Sequence, residues 1–474
     1  MILGRVPSRP SSLQLGAITA SGATAAAGRV RLRRALVLMG MTLVAPGSAQ
    51  LAAGDKRVGR FALAAFASAL GLLVLVVLVG VWRPTELISV FTNLWMLRLL
   101  RFALIAYALA WAYLLVDAWR IADPLGLARK QRLLLTGLNG VACFAVTGAL
   151  LFASHLVAVQ RDFIATVFGD GVTSQAEHGR YNILLLGGDA GPRRVGLRPD
   201  SITVASVDEQ TGRTVLLGLP RNLEDVPFPT GSVMDRHFPH GFDCSGCYLN
   251  GVNTWATEHS SLFPHSKDPG VTATTQAVEA ITGLHINYYV LIDLKGFQDL
   301  VDAVGGVTLK LADRVPIGSV GRITGWIPAG KRHLDGYQAL WYARSRATTD
   351  DYSRMARQKC LMNAMLHQLN PSRVIANFGD IAKAGKQVIS TSIPASQLST
   401  FAGLALKTRK LPVTSVSFVP PKIDTGNPNW ALIRSMTKTA IAKAEAKDSG
   451  GTHRPHPGSK RHNANDTTNL AGSC

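Results

Sequence analysis

Three stretches of the chain are apolar on every side of a helix. Residues 61–82 run almost unbroken through GLLVLVVLVGVW. At about 1.5 Å per residue, such a helix crosses a hydrocarbon core of roughly 30 Å. Residues 102–119, flanked by Arg101 and Arg120, and residues 133–159 have the same character. Residues 31–51 begin RLRR but are interrupted by Pro46, Gly47, Ser48 and Gln50, the pattern of an interfacial or re-entrant segment. Beyond residue 160 the pattern changes. Residues 181–187, 201–207 and 213–219 are short apolar runs bounded by turn residues, the last two joined through a turn at 208–212. They read as buried strands. Helical spacing at 272–282, 295–304, 335–344 and 351–369 interleaves with strand patterns at 288–293, 307–311 and 413–418, and two further helices are expected after residue 371. Strands interleaved with helices predict an α/β domain, layered α-β-α around a mixed sheet.

The expected organisation is therefore a cytoplasmic N-terminal region (1–60), a bundle of three transmembrane helices (61–160) and a layered catalytic domain (178–440). A polar tail from residue 447 to 474 is expected to be disordered. A chain of 474 residues with mean hydropathy +0.17 fits this mixture of membrane and water-exposed parts. Its formal charge of +20 is uneven, because residues 1–160 hold 16 Lys/Arg against 4 Asp/Glu. Basic charge beside apolar helices reports topology and anionic headgroups before it reports nucleic acid. Arginines and lysines concentrate before the first span and between the second and third. The N-terminus is thus expected inside, with everything after about residue 160 outside. No charged start followed by a short apolar run occurs at Met1, so no cleaved signal peptide is expected. Five cysteines are too few for a disulfide framework. Cys244 and Cys247 form an isolated CSGC, better suited to a local disulfide than to zinc.

Residues 343–358, ARSRATTDDYSRMARQ, place four arginines in sixteen positions. The planar guanidinium fork matches phosphate oxygens and keeps its charge. Arg344 and Arg346 alternate across an extended exit from one helix. Asp351, Arg354 and Gln358 follow at i, i+3 and i+7, along one face of the next. Met355, Met362, Leu366 and Leu369 form a separate apolar face, and Arg357 lies beside the polar one. A solvated charged helix is the alternative. Upstream, Asp189 ends the first strand and Asp200 opens the second, so neighbouring strands bring two carboxylates together, suiting Mg²⁺. Ordinary turn chemistry is the competing explanation for both aspartates. Arg221, in LPRN, falls at the end of the third strand, on the same edge.

Together the segments YNILLLGGDA, RPDSITVASVDEQTGRTVLLGLPRN, NYYVLIDLKGFQDLVDAVGGV, LDGYQALWYARSR and DYSRMARQ resemble the LytR-CpsA-Psr family of cell-envelope proteins. The resemblance implies Mg²⁺-dependent transfer of a glycan from a polyprenyl-pyrophosphate carrier to peptidoglycan, on an extracytoplasmic α-β-α domain. It places Asp189 and Asp200 on the metal. Arg221, Arg344, Arg346, Arg354 and Gln358 fall at pyrophosphate-binding positions, and Asp200, Arg221 and Asp351 in the catalytic group. The chain has Arg198-Pro199-Asp200-Ser201 where the family often has Arg-Ser-Asp-Thr, and Asn222 where an aspartate is frequent. Three spans and the CSGC insertion lie outside the resemblance. Residues Leu284, Tyr288, Phe297 and Leu300 are candidates for an apolar channel holding the lipid. Hydrolysis of the pyrophosphate by water, or a non-catalytic regulatory role, are the alternative functions, and no helix-turn-helix pattern supports DNA contact.

Overall fold

The computed structural model describes residues 12–168, 171–189, 198–368 and 389–448; of Asp189 it describes the backbone alone. The chain divides into two compact units, one of residues 1–87 and 95–158 and one of residues 88–94 and 159–474.

The first unit is helical. Helices α1 (Ser12–Val44), α2 (Ser48–Ala52) and α3 (Lys56–Trp82) are followed by α4 (Pro84–Thr92), α5 (Leu94–Ile121) and α6 (Arg129–Val167). Of these, α3, α5 and α6 are long and apolar enough to cross a membrane, and their apolar windows are at most 17% buried. Apolar side chains left outside on every face suit a lipid solvent. The interrupted segment at 31–51 is a long helix through Val44 that breaks at Pro46-Gly47 and resumes as α2. The break works because Gly47 adopts φ +97° and α2 passes close over Gly59, where a Cβ would lie 2.7 Å from the Leu51 nitrogen.

The second unit carries the sheet. Its elements are β1 (Arg180–Asp189), β2 (Arg198–Asp208), β3 (Thr214–Leu219), α7 (Val233–His237), α8 (Leu249–Glu258), α9 (Pro269–Thr282), β4 (Tyr288–Asp293) and α10 (Leu294–Ala303). These are followed by β5 (Val307–Leu311), β6 (Val315–Ser319), β7 (Arg322–Ile327), β8 (Gly330–Leu334), α11 (Gly336–Arg344) and α12 (Asp351–Gln368). The last are β9 (Ile389–Thr391), α13 (Leu398–Thr408), β10 (Thr414–Ser417) and α14 (Trp430–Asp448). Six strands form one sheet in the order β10-β3-β2-β1-β4-β9. β1 runs antiparallel to β2 and parallel to β4, so the sheet is mixed as expected. Alternation along the strands sorts side chains to two faces. Leu184, Leu186, Val204 and Leu217 join the core shared with α8, α9 and α14. Ala205, Leu216 and Leu185 pack with Met362 and Leu366 of α12 on the other face. The result is the α-β-α layering. Strand β5 falls where its pattern placed it; the sequence pattern missed α8 and the strands β6, β7 and β8, which are short, with β7 and β8 largely exposed. Cys244 and Cys247 are joined as a disulfide across a Cα separation of 5.1 Å. The tail from residue 449 and the segment 369–388 lie outside the described residues.

Candidate active site

The site assembles where β1 and β4 end, β2 begins and β3 hands over to a loop. Between β1 and β2, Gly187 faces Ser201 and Gly188 faces Pro199, so Asp200 is the additional residue of a bulge. Bulges re-aim side chains, and this one turns Asp200 toward the sheet end. Arg221 follows β3 by two residues. Asp335 caps α11 by accepting from the Gln338 amide (2.8 Å), and α11 delivers Arg344 in its last turn. Asp350 accepts from the Ser353 amide at the start of α12 (2.7 Å). Asp351 occupies the first turn of that helix, where a carboxylate meets the positive end of the dipole.

Arg221 ties these elements together. Its Nη1 donates to Asp200 Oδ1 at 2.5 Å and its Nε to Asp351 Oδ2 at 2.7 Å. Asp351 also accepts from Arg346 Nη1 (3.2 Å) and Arg354 Nη2 (3.5 Å). Burial opposes ionising Asp351, but the Arg221 hydrogen bond and the charges of Arg354, Arg221 and Arg346 outweigh it and hold the carboxyl below its ordinary range. Arg354 is only 2% exposed and donates to the Asp200 carbonyl at 3.0 Å. Its burial, offset in part by Asp351, pushes the guanidinium down to about 10, still charged at neutral pH. Arg354 Nε is buried and has no hydrogen-bond partner among the described residues. A buried charged donor left open beside a cavity is costly unless a ligand meets it.

That cavity, about 410 Å³, lies between the sheet and helices α10, α11 and α12. Asp200, Arg344, Arg354 and Gln358 line one part of it. The remainder is largely apolar, with Leu185, Val290, Phe297, Leu361, Met365 and Leu366 among its walls. Along α12, Arg354, Gln358, Leu361, Met365 and Leu366 recur at helical spacing, so one face changes from cationic to apolar over three turns, roughly 18 Å. One end therefore fits a charged phosphate group and the other a hydrocarbon chain.

The predicted residues separate by position. Asp200, Arg344, Arg354 and Gln358 face the cavity. Arg221, Arg346 and Asp351 are joined to them by ion pairs but do not line it. Asp351 instead accepts hydrogen bonds from Arg221, Arg346 and Arg354. Asp189 has its Cα opposite Arg198 at the same strand end as Asp200; its side chain lies outside the described residues. No cluster of three or more His, Cys, Asp or Glu able to hold a metal occurs among the described residues. Arg357 is a structural clamp: its Nε donates to the Tyr342 carbonyl at 2.9 Å, its Nη2 donates to the Ser345 carbonyl, and both Nη groups reach Thr349 Oγ1 at 3.3 Å. It fixes the elbow that carries Arg344 and Arg346.

Of the four channel candidates, Phe297 alone lines the cavity. Tyr288 is buried nearer the start of β4, where its hydroxyl donates to the Ser174 carbonyl at 3.0 Å. Leu284 packs against the core on the opposite face of the sheet, and Leu300 lies outside the lining. Val290 and Ile292, on the cavity side of β4, were the signal in the two-residue strand period. Asp293 was also missed. It borders the cavity and caps α10 through the Gly296 amide at 2.7 Å, a role legible in its place between strand and helix.

Residues 157–431, more than half of the chain, match the model of the LytR_cpsA_psr family. The polyisoprenyl-teichoic acid–peptidoglycan teichoic acid transferase TagU of Oceanobacillus iheyensis is 29% identical over 213 residues, covering 44% of this chain and 56% of TagU. The cell wall biosynthesis protein LcpA of Corynebacterium glutamicum is 27% identical over 271 residues, 51% of each chain. The chain therefore spans about half the length of these curated relatives. Among solved structures, B. subtilis TagV aligns with a TM-score of 0.41 at 22% identity, over 57% of this chain and 98% of TagV.

Proposed function

As the chain belongs to the LytR-CpsA-Psr family, we propose that it is a membrane-anchored phosphotransferase that moves a glycopolymer from a polyprenyl-pyrophosphate carrier onto peptidoglycan, outside the cytoplasm. The observation that carries this reading is the single cavity whose lining passes from Arg344, Arg354 and Gln358 to apolar side chains. Such a cavity suits a molecule that is pyrophosphate at one end and hydrocarbon at the other. The names of the teichoic acid transferases among the relatives support the same chemistry. The basic residues before the first span, and Arg120, Arg129, Lys130 and Arg132 between the second and third against Arg83, Arg98 and Arg101 between the first and second, support placing the domain outside.

In this reading an acceptor hydroxyl attacks the phosphorus that bears the glycan, and the bridging P–O bond breaks to release polyprenyl phosphate. Phosphoryl transfer leaves the protein mostly the work of positioning and charge neutralisation. Arg344 and Arg354 bind the phosphate oxygens, and Gln358 adds a polar contact. Arg221 and Asp351 hold those groups in register, and Arg346 supplies further positive charge at the rim. The apolar wall holds the lipid and keeps water from the chain side of the pyrophosphate.

Mg²⁺ belongs to the proposal through Asp200. Its side chain is 36% exposed beside the cavity and is engaged by Arg221 through one oxygen. One carboxylate plus substrate phosphates is a donor set that Mg²⁺ accepts, with Asp189 as the second carboxylate. Bound there, the ion would withdraw charge from the phosphate oxygens as a Lewis acid.

The test is transfer itself. Purified full-length protein is given a polyprenyl-pyrophosphate-linked glycan, peptidoglycan fragments and Mg²⁺, and the products are separated by mass. A covalent glycan–peptidoglycan product that disappears in Asp200→Ala is expected. Free glycan phosphate in place of that product would make the protein a hydrolase.

A further inference from the structure

Arg344 and Arg346 stand two residues apart yet do different work. Arg344 closes α11 and lines the cavity, whereas Arg346 is exposed and donates to Asp351 at 3.2 Å. The residue between them is Ser345. It follows the last turn of α11 with extended backbone, φ −62° and ψ 135°. Side chains along extended backbone alternate in direction, so Ser345 turns inward where its neighbours turn outward. It is only 2% exposed and does not line the cavity.

Each polar group of Ser345 is engaged. Its amide donates to the Trp341 carbonyl at 2.9 Å, and its carbonyl accepts from Arg357 Nη2. Its hydroxyl donates to the Pro316 carbonyl of β6 at 2.7 Å. That acceptor is firmly held. Pro316 stands opposite Trp326 in the β6–β7 register, and its neighbour Val315 is buried in one apolar cluster with Ala339 and Tyr342 of α11 and Leu361 of α12. Packing alone asks for a small side chain at position 345. The hydroxyl adds direction, because a hydrogen bond is met only over a narrow range of distance and angle.

We infer that Ser345 is a positioning residue for phosphate binding: its bond to β6 sets the point from which Arg344 enters the cavity and Arg346 turns to Asp351. This rests on the phosphotransfer reading above and deepens it by naming the side chain that aims its arginines. Misplacing a binding group by about 1 Å is enough to cost on the order of 100-fold in rate, so a buried anchor behind two arginines acts on the reaction without touching the ligand.

The experiment measures the Kd of a short prenyl pyrophosphate, the number of binding sites and the Tm, on full-length protein in nanodiscs. The variants are Ser345→Ala, Ser345→Cys, Arg344→Gln and the double variant Ser345→Ala/Arg344→Gln. Ser345→Ala is expected to raise the Kd about fivefold or more, the scale of one lost hydrogen bond. Ser345→Cys keeps a small side chain with a weaker donor, is expected to raise the Kd about threefold, and serves alone if the alanine variant does not fold. A merely structural role would lower the Tm and the number of sites while leaving the Kd of the remaining sites unchanged. In the Arg344→Gln background the effect of Ser345→Ala on Kd is expected to shrink to about twofold or less, because the group it aims is gone. A wild-type Kd in the serine variants, or an undiminished effect in the Arg344→Gln background, would overturn the inference. Wild type without saturable binding of the prenyl pyrophosphate would instead remove the function proposed above, so the two failures are distinguishable.

Discussion

Arg221→Lys isolates geometry from charge at the centre of the site. The native fork reaches two carboxylates at once, Asp200 at 2.5 Å and Asp351 at 2.7 Å. A lysine ammonium on a flexible stem keeps the charge but cannot hold both partners in the fixed fork. At least one charge-assisted hydrogen bond is lost, worth about 1.5–3 kcal/mol. The Arg221 side chain is 20% exposed, so water replaces part of the loss and the lower half of that range applies. At about 2–4 °C per kcal/mol for a domain of this size, the Tm should fall by roughly 3–9 °C. Turnover should fall further, by about 100-fold, because Asp200 and Asp351 no longer share one anchor and the arginines drift from the cavity. The decisive assay is a double-mutant cycle with Asp351→Asn, read by thermal unfolding and by turnover. Coupling of about 0.5–3 kcal/mol is expected between partners in direct contact. Additive effects, or a lysine variant with wild-type turnover, would refute the claim that Arg221 organises the site.

Three further outcomes follow from the same geometry. Arg344→Lys should lower turnover about 10-fold or more with little change in Tm, while Lys295→Arg on the exposed face of α10 should leave both as in wild type; equal effects would mean that Arg344 is only solvated. Met362→Trp should fill the apolar part of the cavity, so competition assays should show loss of long-chain polyprenyl pyrophosphate before short-chain analogues. The depressed Asp351 carboxyl stabilises the folded state above its unfolded value and loses that contribution as pH falls through the folded one. Tm should therefore drop below about pH 4, and Asp351→Asn should flatten that part of the profile when unfolding is followed against pH.

The sequence by itself determined the three membrane-length helices, because apolar residues on all sides of a helix have no other solvent to face. It also determined five of the six strands of the main sheet, the three-residue β9 excepted, and the membership of the arginine motif, since strand period, turn residues and helical spacing are local properties. Strand β4 begins and ends where its pattern does, and Asp351, Arg354 and Gln358 share the helical face their spacing requires. What each motif residue does was decided only in three dimensions. Arg354 and Arg357 are three residues apart in one helix, yet one borders the cavity and the other clamps an elbow. Asp200 and Asp351 are both carboxylates near arginines, but the β1–β2 bulge turns the first to the cavity while three guanidinium groups enclose the second. The cavity was equally illegible, because its walls come from β1, β2, β4, α10, α11 and α12 and no local pattern records which faces meet. Spacing along a chain fixes the face on which a residue stands, and tertiary packing decides what that face confronts.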